Sequence, residues 1–182
     1  LYHGMVNQRL YELTQEADPE FLGGGSGQGR WLRTKEFTYL GAAVQNNGFN
    51  RGLEALLREA ARVRRHGFTA TELARQKTQK LRSMEQMARE YDKTESARFA
   101  SEYVRHVLEG EPIPGIAREL ELHQELLPTI SLEDINALAR QAVRTDNRVI
   151  TISAPEADQI IVPDETELLT AFDVVNAMEI EP

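Results

Sequence analysis

Met5, Val6, Leu10 and Leu13, with Tyr2 before them, recur at helical spacing and predict a helix from the start of the chain to about Ala17. Asp18-Pro19 ends it, because the residue before a proline is pushed out of the α region. The chain opens inside this helix, with neither an initiator Met nor a capping residue ahead of Leu1, which reads as a piece of something longer. Gly23, Gly24, Gly25, Gly27 and Gly29 follow within seven residues. Residues 33–46 then alternate, with Phe37, Tyr39, Gly41 and Ala43 on one side, and predict a strand closed by Asn46-Asn47-Gly48.

The rest of the pattern is mostly helical. Leu53, Leu56, Leu57, Ala60 and Val63 mark a helix from about Asn50 that stops at Gly67. Thr69-Ala70-Thr71-Glu72 fits a capping box, so a new helix starts there. Its sparse stripe (Leu73, Leu81, Met84, Ala88, Tyr91) predicts one narrow buried face. Asp92-Lys93-Thr94 breaks it, and Ala97, Ala100, Tyr103, Val104, Val107 and Leu108 predict an amphipathic helix ending at Gly110. After the Pro112 and Pro114 link comes a brief helix to about Leu127. Ser131-Leu132-Glu133-Asp134 opens another, carrying Ile135, Leu138, Ala139 and Val143. Val149, Ile150 and Ile152 predict a strand over Asn147–Ala154, closed by Pro155, and a short helix is expected around Glu165–Ala177. This order predicts an α+β fold, an antiparallel sheet covered by helices on one face.

Composition narrows the class. The chain has 182 residues, 41% of them hydrophobic, enough for a core and against wholesale disorder. No apolar run is long enough for a membrane helix, no signal-peptide pattern is present, and the absence of Cys excludes disulfides, thiolate metal sites and a Cys nucleophile. The net charge of −8 is unevenly placed. Residues 156–182 carry eight of the 29 acidic groups and no Lys or Arg, so residues 1–155 hold 21 basic and 21 acidic groups. Residues 58–82 carry Arg58, Arg62, Arg64, Arg65, Arg75, Lys77, Lys80 and Arg82 against Glu59 and Glu72. Clustered cations suit phosphate, but no aromatic residue interleaves before Phe68, and the arginines at 62–65 complement a helix C-terminus, so nucleic-acid binding is not expected.

Candidate chemistry is thin. The glycine segment gives neither G-x-G-x-x-G nor a P-loop frame, and it feeds a strand where phosphate loops feed a helix. Glycines there point instead to a bulge or a close backbone approach. His106-Val107-Leu108-Glu109-Gly110 has Gly where a zinc-binding H-x-x-E-H needs its second His, and His3, His66, His106 and His123 are scattered. Ser26, in Gly25-Ser26-Gly27, lacks the spacing of a nucleophile elbow. Met84 and Met87 read as packing residues. No residue is assigned a catalytic, cofactor-binding or metal role.

The order of landmarks adds a resemblance. Met5 through Leu13, followed by Pro19-Glu20-Phe21-Leu22, resembles the pitrilysin/insulinase family of zinc metallopeptidases, in which a helix ends in an Arg-Leu-x-Glu-like stretch and the chain re-enters the sheet after a Pro/Phe pair. Leu53 through Glu59, Arg62-Val63, His66-Gly67-Phe68-Thr69 and Glu72-Leu73 look like the family's helix, glycine turn and next helix. Gly110 through Gly115, the Leu126–Asp134 junction and Asn147–Pro155 continue in order. Val162 through Leu169 is similar to the connector between the halves of long bacterial members, so the resemblance covers nearly the whole chain.

The resemblance implies the second, non-catalytic domain of the N-terminal half, related in fold to mitochondrial processing peptidase and lacking its first strand. Residues 1–155 would be that N-terminally truncated domain and 156–182 an acidic inter-half linker with a short helix. Zinc, held by His-x-x-Glu-His and a downstream Glu, belongs to the parent's catalytic domain, and this chain has no match to that motif. The family's substrate-contacting Arg and Tyr belong to the other half, and Arg9 and Tyr11 lack their spacing. The implied partners are the parent's catalytic domain, its second half and its peptide substrates, with a periplasmic location favoured over a cytoplasmic one. An open sheet edge would let the isolated chain self-associate. The rival expectation is a stand-alone helical adaptor holding an acidic partner through residues 58–82. A third is a degenerate peptidase homologue whose parent lacks zinc.

Overall fold

The computed structural model describes residues 1–32, 35–142 and 146–182. Helix α1 (Tyr2–Leu13) leads to strands β1 (Gly23–Leu32) and β2 (Lys35–Ala43), and then to helices α2 (Phe49–His66) and α3 (Ala70–Arg89). Helices α4 (Ser96–Glu109), α5 (Ile116–Leu126), α6 (Leu132–Ala142) and α7 (Glu165–Ala177) follow. The expected α+β class is what the structure has. Arg33 and Thr34, inside the expected 33–46 strand, and Val143, on the expected helix from Ser131, lie outside the described residues.

Punctuation visible in the sequence sets several helix ends. Thr69 and Glu72 form the reciprocal capping box of α3, and Ser131 and Asp134 bond each other at the start of α6. Gly67 (φ 73°) follows α2, and Gly110 (φ 74°) closes α4 in the left-handed conformation. The expected sparse stripe of α3 reduces to two buried residues, Leu73 and Met84.

The sheet departs from the sequence expectation in two ways. First, the glycine segment is itself a strand, pairing antiparallel with β2 from Gly23↔Ala43 to Leu32↔Lys35, with an irregularity between Arg30 and Leu32. Cross-strand aromatics explain how so many glycines hold a strand. Tyr39 pairs with Gly27 and Phe37 with Gly29, and each ring lies where its partner's side chain would be. A Cβ on Gly27 would fall 2.6 Å from the Tyr39 ring, and one on Gly29 would fall 3.0 Å from the Phe37 ring. Second, the strand expected over Asn147–Ala154 is irregular chain with no strand partner among the described residues, and Val149 is 88% exposed. The described sheet is the single β1–β2 pair, so the apolar run at 149–152 meets no ladder to join.

Helices cover one face of this sheet. Leu40, Ala42 and Val44 turn inward onto the core of Met5, Val6 and Leu10 from α1, Phe21, Ala55, Leu56 and Val63 from α2, Phe68, Leu73, and Ile135 and Ala139 from α6. On the opposite face a Cβ added at Gly23, Gly25 or Gly41 would meet nothing within 4 Å. The acidic C-terminal segment does not trail away from the fold. Val175 and Ile180 are buried against Ala61 of α2, beside Leu57 and Met178.

Candidate functional site

Three constellations could carry chemistry, and two of them involve α1. The first is the grip of α1 on β1. His3 and Asn7, one turn apart, both reach buried Ser26. Ser26 Oγ lies 2.7 Å from His3 Nδ1. The Ser26 amide donates to Asn7 Oδ1 at 2.6 Å, and Asn7 Nδ2 donates to the Ser26 carbonyl at 3.1 Å. The Asn7 amide thus does for the outer edge of β1 what a further strand would do. Burial pushes the His3 imidazole below its ordinary value, against a hydrogen bond with Gln28 that raises it. A serine beside a histidine is nucleophile geometry. Here Ser26 is 7% exposed and both its main-chain groups are held by Asn7, so the pair works as a clasp. Asn7→Ala leaves those two groups unpaired at a buried position and is expected to cost about 1–3 kcal/mol in denaturant unfolding, with faster exchange of the Ser26 amide. Unchanged protection of that amide would contradict the clasp.

The second constellation lies at the far end of the hairpin. A cleft of about 500 Å³ is lined by Gln28, Gly29, Arg30, Glu36, Phe37, Thr38, Glu109 and Glu111. Arg30 pairs with Glu36 at 3.1 Å and reaches Glu109 at 3.6 Å, tying the hairpin to the end of α4. Glu111 is engaged by Arg105 at 2.6 Å. Its carboxylates are therefore partnered by the chain's own arginines.

The third is an ionic hub joining α1, α2 and α3. Arg9 binds Glu72 in bidentate fashion, Nε to Oε1 at 2.6 Å and Nη2 to Oε2 at 3.0 Å. It also donates to the Gly67 carbonyl at 3.1 Å and pairs with Glu59 at 3.3 Å, and its guanidinium lies 5.0 Å from the centre of the Phe68 ring. Glu59 is 2% exposed and shares its other carboxylate oxygen with Arg62. Burial alone would raise the Glu72 carboxyl. The bond from Arg9, those from the Thr69 amide and hydroxyl, and the Arg9 charge outweigh it and hold the group at about 2.

The residues weighed in the sequence are dispersed. His66 Nε2 lies 2.7 Å from the Ile180 carbonyl, His106 Nδ1 2.7 Å from the Glu111 carbonyl, and His123 Nδ1 2.8 Å from the Glu119 carbonyl. Among the described residues no three His, Asp or Glu side chains converge to hold a metal ion. Met84 is buried and Met87 contacts Arg98, at 3.3 Å from its Nη2 to Sδ. Much of the basic 58–82 stretch is engaged by the chain's own acidic groups and carbonyls. Arg58 pairs with Glu20, Arg62 with Glu59, and Arg75 with Glu12. Arg65 holds the carbonyls that end α7, and Lys77 those of Pro128 and Ile130.

No family model matches the sequence. A curated relative, a zinc protease PQQL-like protein of Arabidopsis thaliana, is 30% identical over 152 residues, which is 84% of this chain and 13% of the relative. The first half of the periplasmic protease PqqL from Escherichia coli superposes with a TM-score of 0.80 at 17% identity, over 98% of this chain and 39% of that one. The chain carries a pitrilysin/insulinase-family domain. A protein from Yersinia pestis described as a predicted insulinase family protease shares the fold, with a TM-score of 0.77 at 16% identity over 97% of this chain and 38% of that one. The family domain thus spans a small part of its curated relative and under half of each solved protein. Its hub was not foreseen. Arg9 entered the sequence reading only as a residue without the family's substrate-contact spacing. The available signal was a charged residue on the same turn as Leu10 and next to the buried stripe of α1.

Among the described residues no helix is long and apolar enough to cross a membrane.

Proposed function

We propose that the chain is a non-catalytic domain of a zinc-dependent metalloendopeptidase, forming part of the wall of a chamber in which peptides are cleaved. One observation carries this reading. The sheet is backed by helices on one face, while Gly23, Gly25 and Gly41 leave bare main chain on the other. Glycine in a strand lets another backbone approach closely, which suits a wall facing peptide. Residues 1–155 act as the domain and 156–182 as the acidic connector between halves. The parent's catalytic domain carries the zinc, and that domain and the second half are the partners. Helix α4 supports the docking role, since Tyr103, Val104, Val107 and Leu108 face solvent and α4 contributes no buried residue. A periplasmic location rests on the description of the Escherichia coli relative. Self-association of the isolated chain would use the outer edge of β1 beyond Ser26, where Asn7 already fills the ladder.

The purified chain is expected to show no stoichiometric zinc and no peptidase activity. In the parent protease, Gly25→Val fills open space, and is expected to lower peptide turnover roughly tenfold, equivalent to about 1.4 kcal/mol of lost binding, with zinc content and thermal stability unchanged. One zinc per isolated chain, lost on replacing His106 or His123, would overturn the non-catalytic role. Wild-type turnover by the Gly25→Val parent would overturn the chamber wall.

A further inference from the structure

We propose that docking of the C-terminal segment 165–182 on α2 and the grip of α1 on β1 are coupled through the buried carboxylate of Glu59. The inference concerns this chain's own stability network and stands apart from the parent's activity. The segment is held at several points. Just ahead of it, Asn47 brackets the chain at the Gln159 carbonyl, 2.9 Å, and the Ile161 amide, 2.8 Å. Arg65 donates to the carbonyls of Met178 at 2.6 Å and Asn176 at 3.1 Å, neutralising the negative end of α7. His66 meets the Ile180 carbonyl, and Arg62 Nε donates to the Glu181 carbonyl at 3.1 Å.

Arg62 is where this docking meets the hub. The same guanidinium that holds Glu181 binds one carboxylate oxygen of Glu59, and Arg9 of α1 binds the other. Val175 and Ile180 bury against Ala61, the residue next to Arg62. Their docking therefore keeps water from the Arg62 side of a carboxylate that is itself almost fully buried. Ion pairs strengthen as water leaves their surroundings, so a docked segment tightens the hold of Glu59 on Arg9. Arg9 lies on the helix whose His3 and Asn7 clasp Ser26, so what stabilises α1 stabilises the clasp. Linkage makes the effect reciprocal: loosening α1 must loosen the docked segment by the same factor.

Hydrogen exchange on the 182-residue chain tests this. Arg65→Ala releases the end of α7 without touching Glu59. It is expected to speed exchange in 165–182, and also to speed exchange of the Ser26 amide and those at the end of α1 by about 5-fold or more relative to α5. Helix α5 packs chiefly on α3, so it reports general destabilisation. In a Glu59→Gln background the increment at Ser26 and α1 should vanish while that in 165–182 persists. If Glu59→Gln fails to fold, Arg62→Met cuts the same link from the segment's side. Exchange at Ser26 and α1 that rises no more than in α5, or by the same factor with and without the Glu59 or Arg62 substitution, would overturn the coupling.

Discussion

Arg9→Met is expected to destabilise the chain by about 3–5 kcal/mol, the scale for removing one partner of a buried ion pair. Three groups lose a partner together: the Glu72 carboxylate, one oxygen of Glu59, and the Gly67 carbonyl. Glu59 keeps Arg62 and Glu72 keeps the Thr69 amide, which places the loss toward the lower end of that range. Methionine still covers Phe68 with apolar stem, so the effect isolates the charge and its fork of donors. Arg9→Lys keeps the charge but cannot reproduce the bidentate geometry, and should lose less, about 1–2 kcal/mol.

The pH dependence has a definite sign. The Glu72 carboxyl ordinarily titrates near 4.5 and is held at about 2 in the folded chain. Its contribution is present in full above the unfolded value and is lost as pH falls from about 4.5 toward 2. With solvent reaching part of the pair, the contribution is about 1–2 kcal/mol. Urea titrations between pH 7 and pH 2.5 should show the gap between wild type and Arg9→Met narrowing by the share of that amount that Arg9 supplies, since the Thr69 bonds remain in both. A gap that stays constant through pH 3 would mean that Arg9 acts through packing alone.

Phe21→Ala is expected to cost about 3–5 kcal/mol through the cavity it leaves. Phe21 is 1% exposed and sits where α1 meets β1. A Cβ at Gly24 would fall 3.1 Å from its ring and 3.4 Å from Leu10 Cβ, so ring, helix and strand leave no slack there. Collapse around the missing ring would need α1 to shift against the strand its own His3 and Asn7 are clasping. Leu22, the next residue, is 60% exposed, and Leu22→Ala should change stability by less than about 0.5 kcal/mol. Denaturant midpoints for the two variants provide the comparison, and similar losses from both would contradict the burial argument.

Much of the helical framework was legible because its signals are local. Helical spacing of Met5, Val6 and Leu10 marks the buried face of α1, and Thr69 with Glu72 marks the start of α3. Gly67 and Gly110 mark helix ends within a residue. The order of such landmarks carried the resemblance to the peptidase family, which the relative from Arabidopsis thaliana and the solved folds support. Less of the candidate site was legible. Ser26 looked like a serine in a failed elbow, and nothing nearby in sequence announces that His3 and Asn7, 23 and 19 residues away, close on it. Glu72 was recognised as a cap, while its second role, as the carboxylate gripped by Arg9, depends on a residue 63 positions earlier.

By itself, then, the sequence determined where helices begin and end, which stripe of each is apolar, the α+β class and the family resemblance. Tertiary structure alone decided the rest. It made Gly23–Leu32 a strand by laying Tyr39 and Phe37 over Gly27 and Gly29, left Val149 and its neighbours without a ladder, drew the acidic end of the chain onto α2, and gathered Arg9, Glu59, Glu72 and Arg62 into one hub. The physical reason is range. Caps, turns and periodicity act within a few residues and are written in local order. The pairing of a strand, and the worth of a charge, depend on what lies across the gap and whether water is there, and that is settled only when distant segments meet.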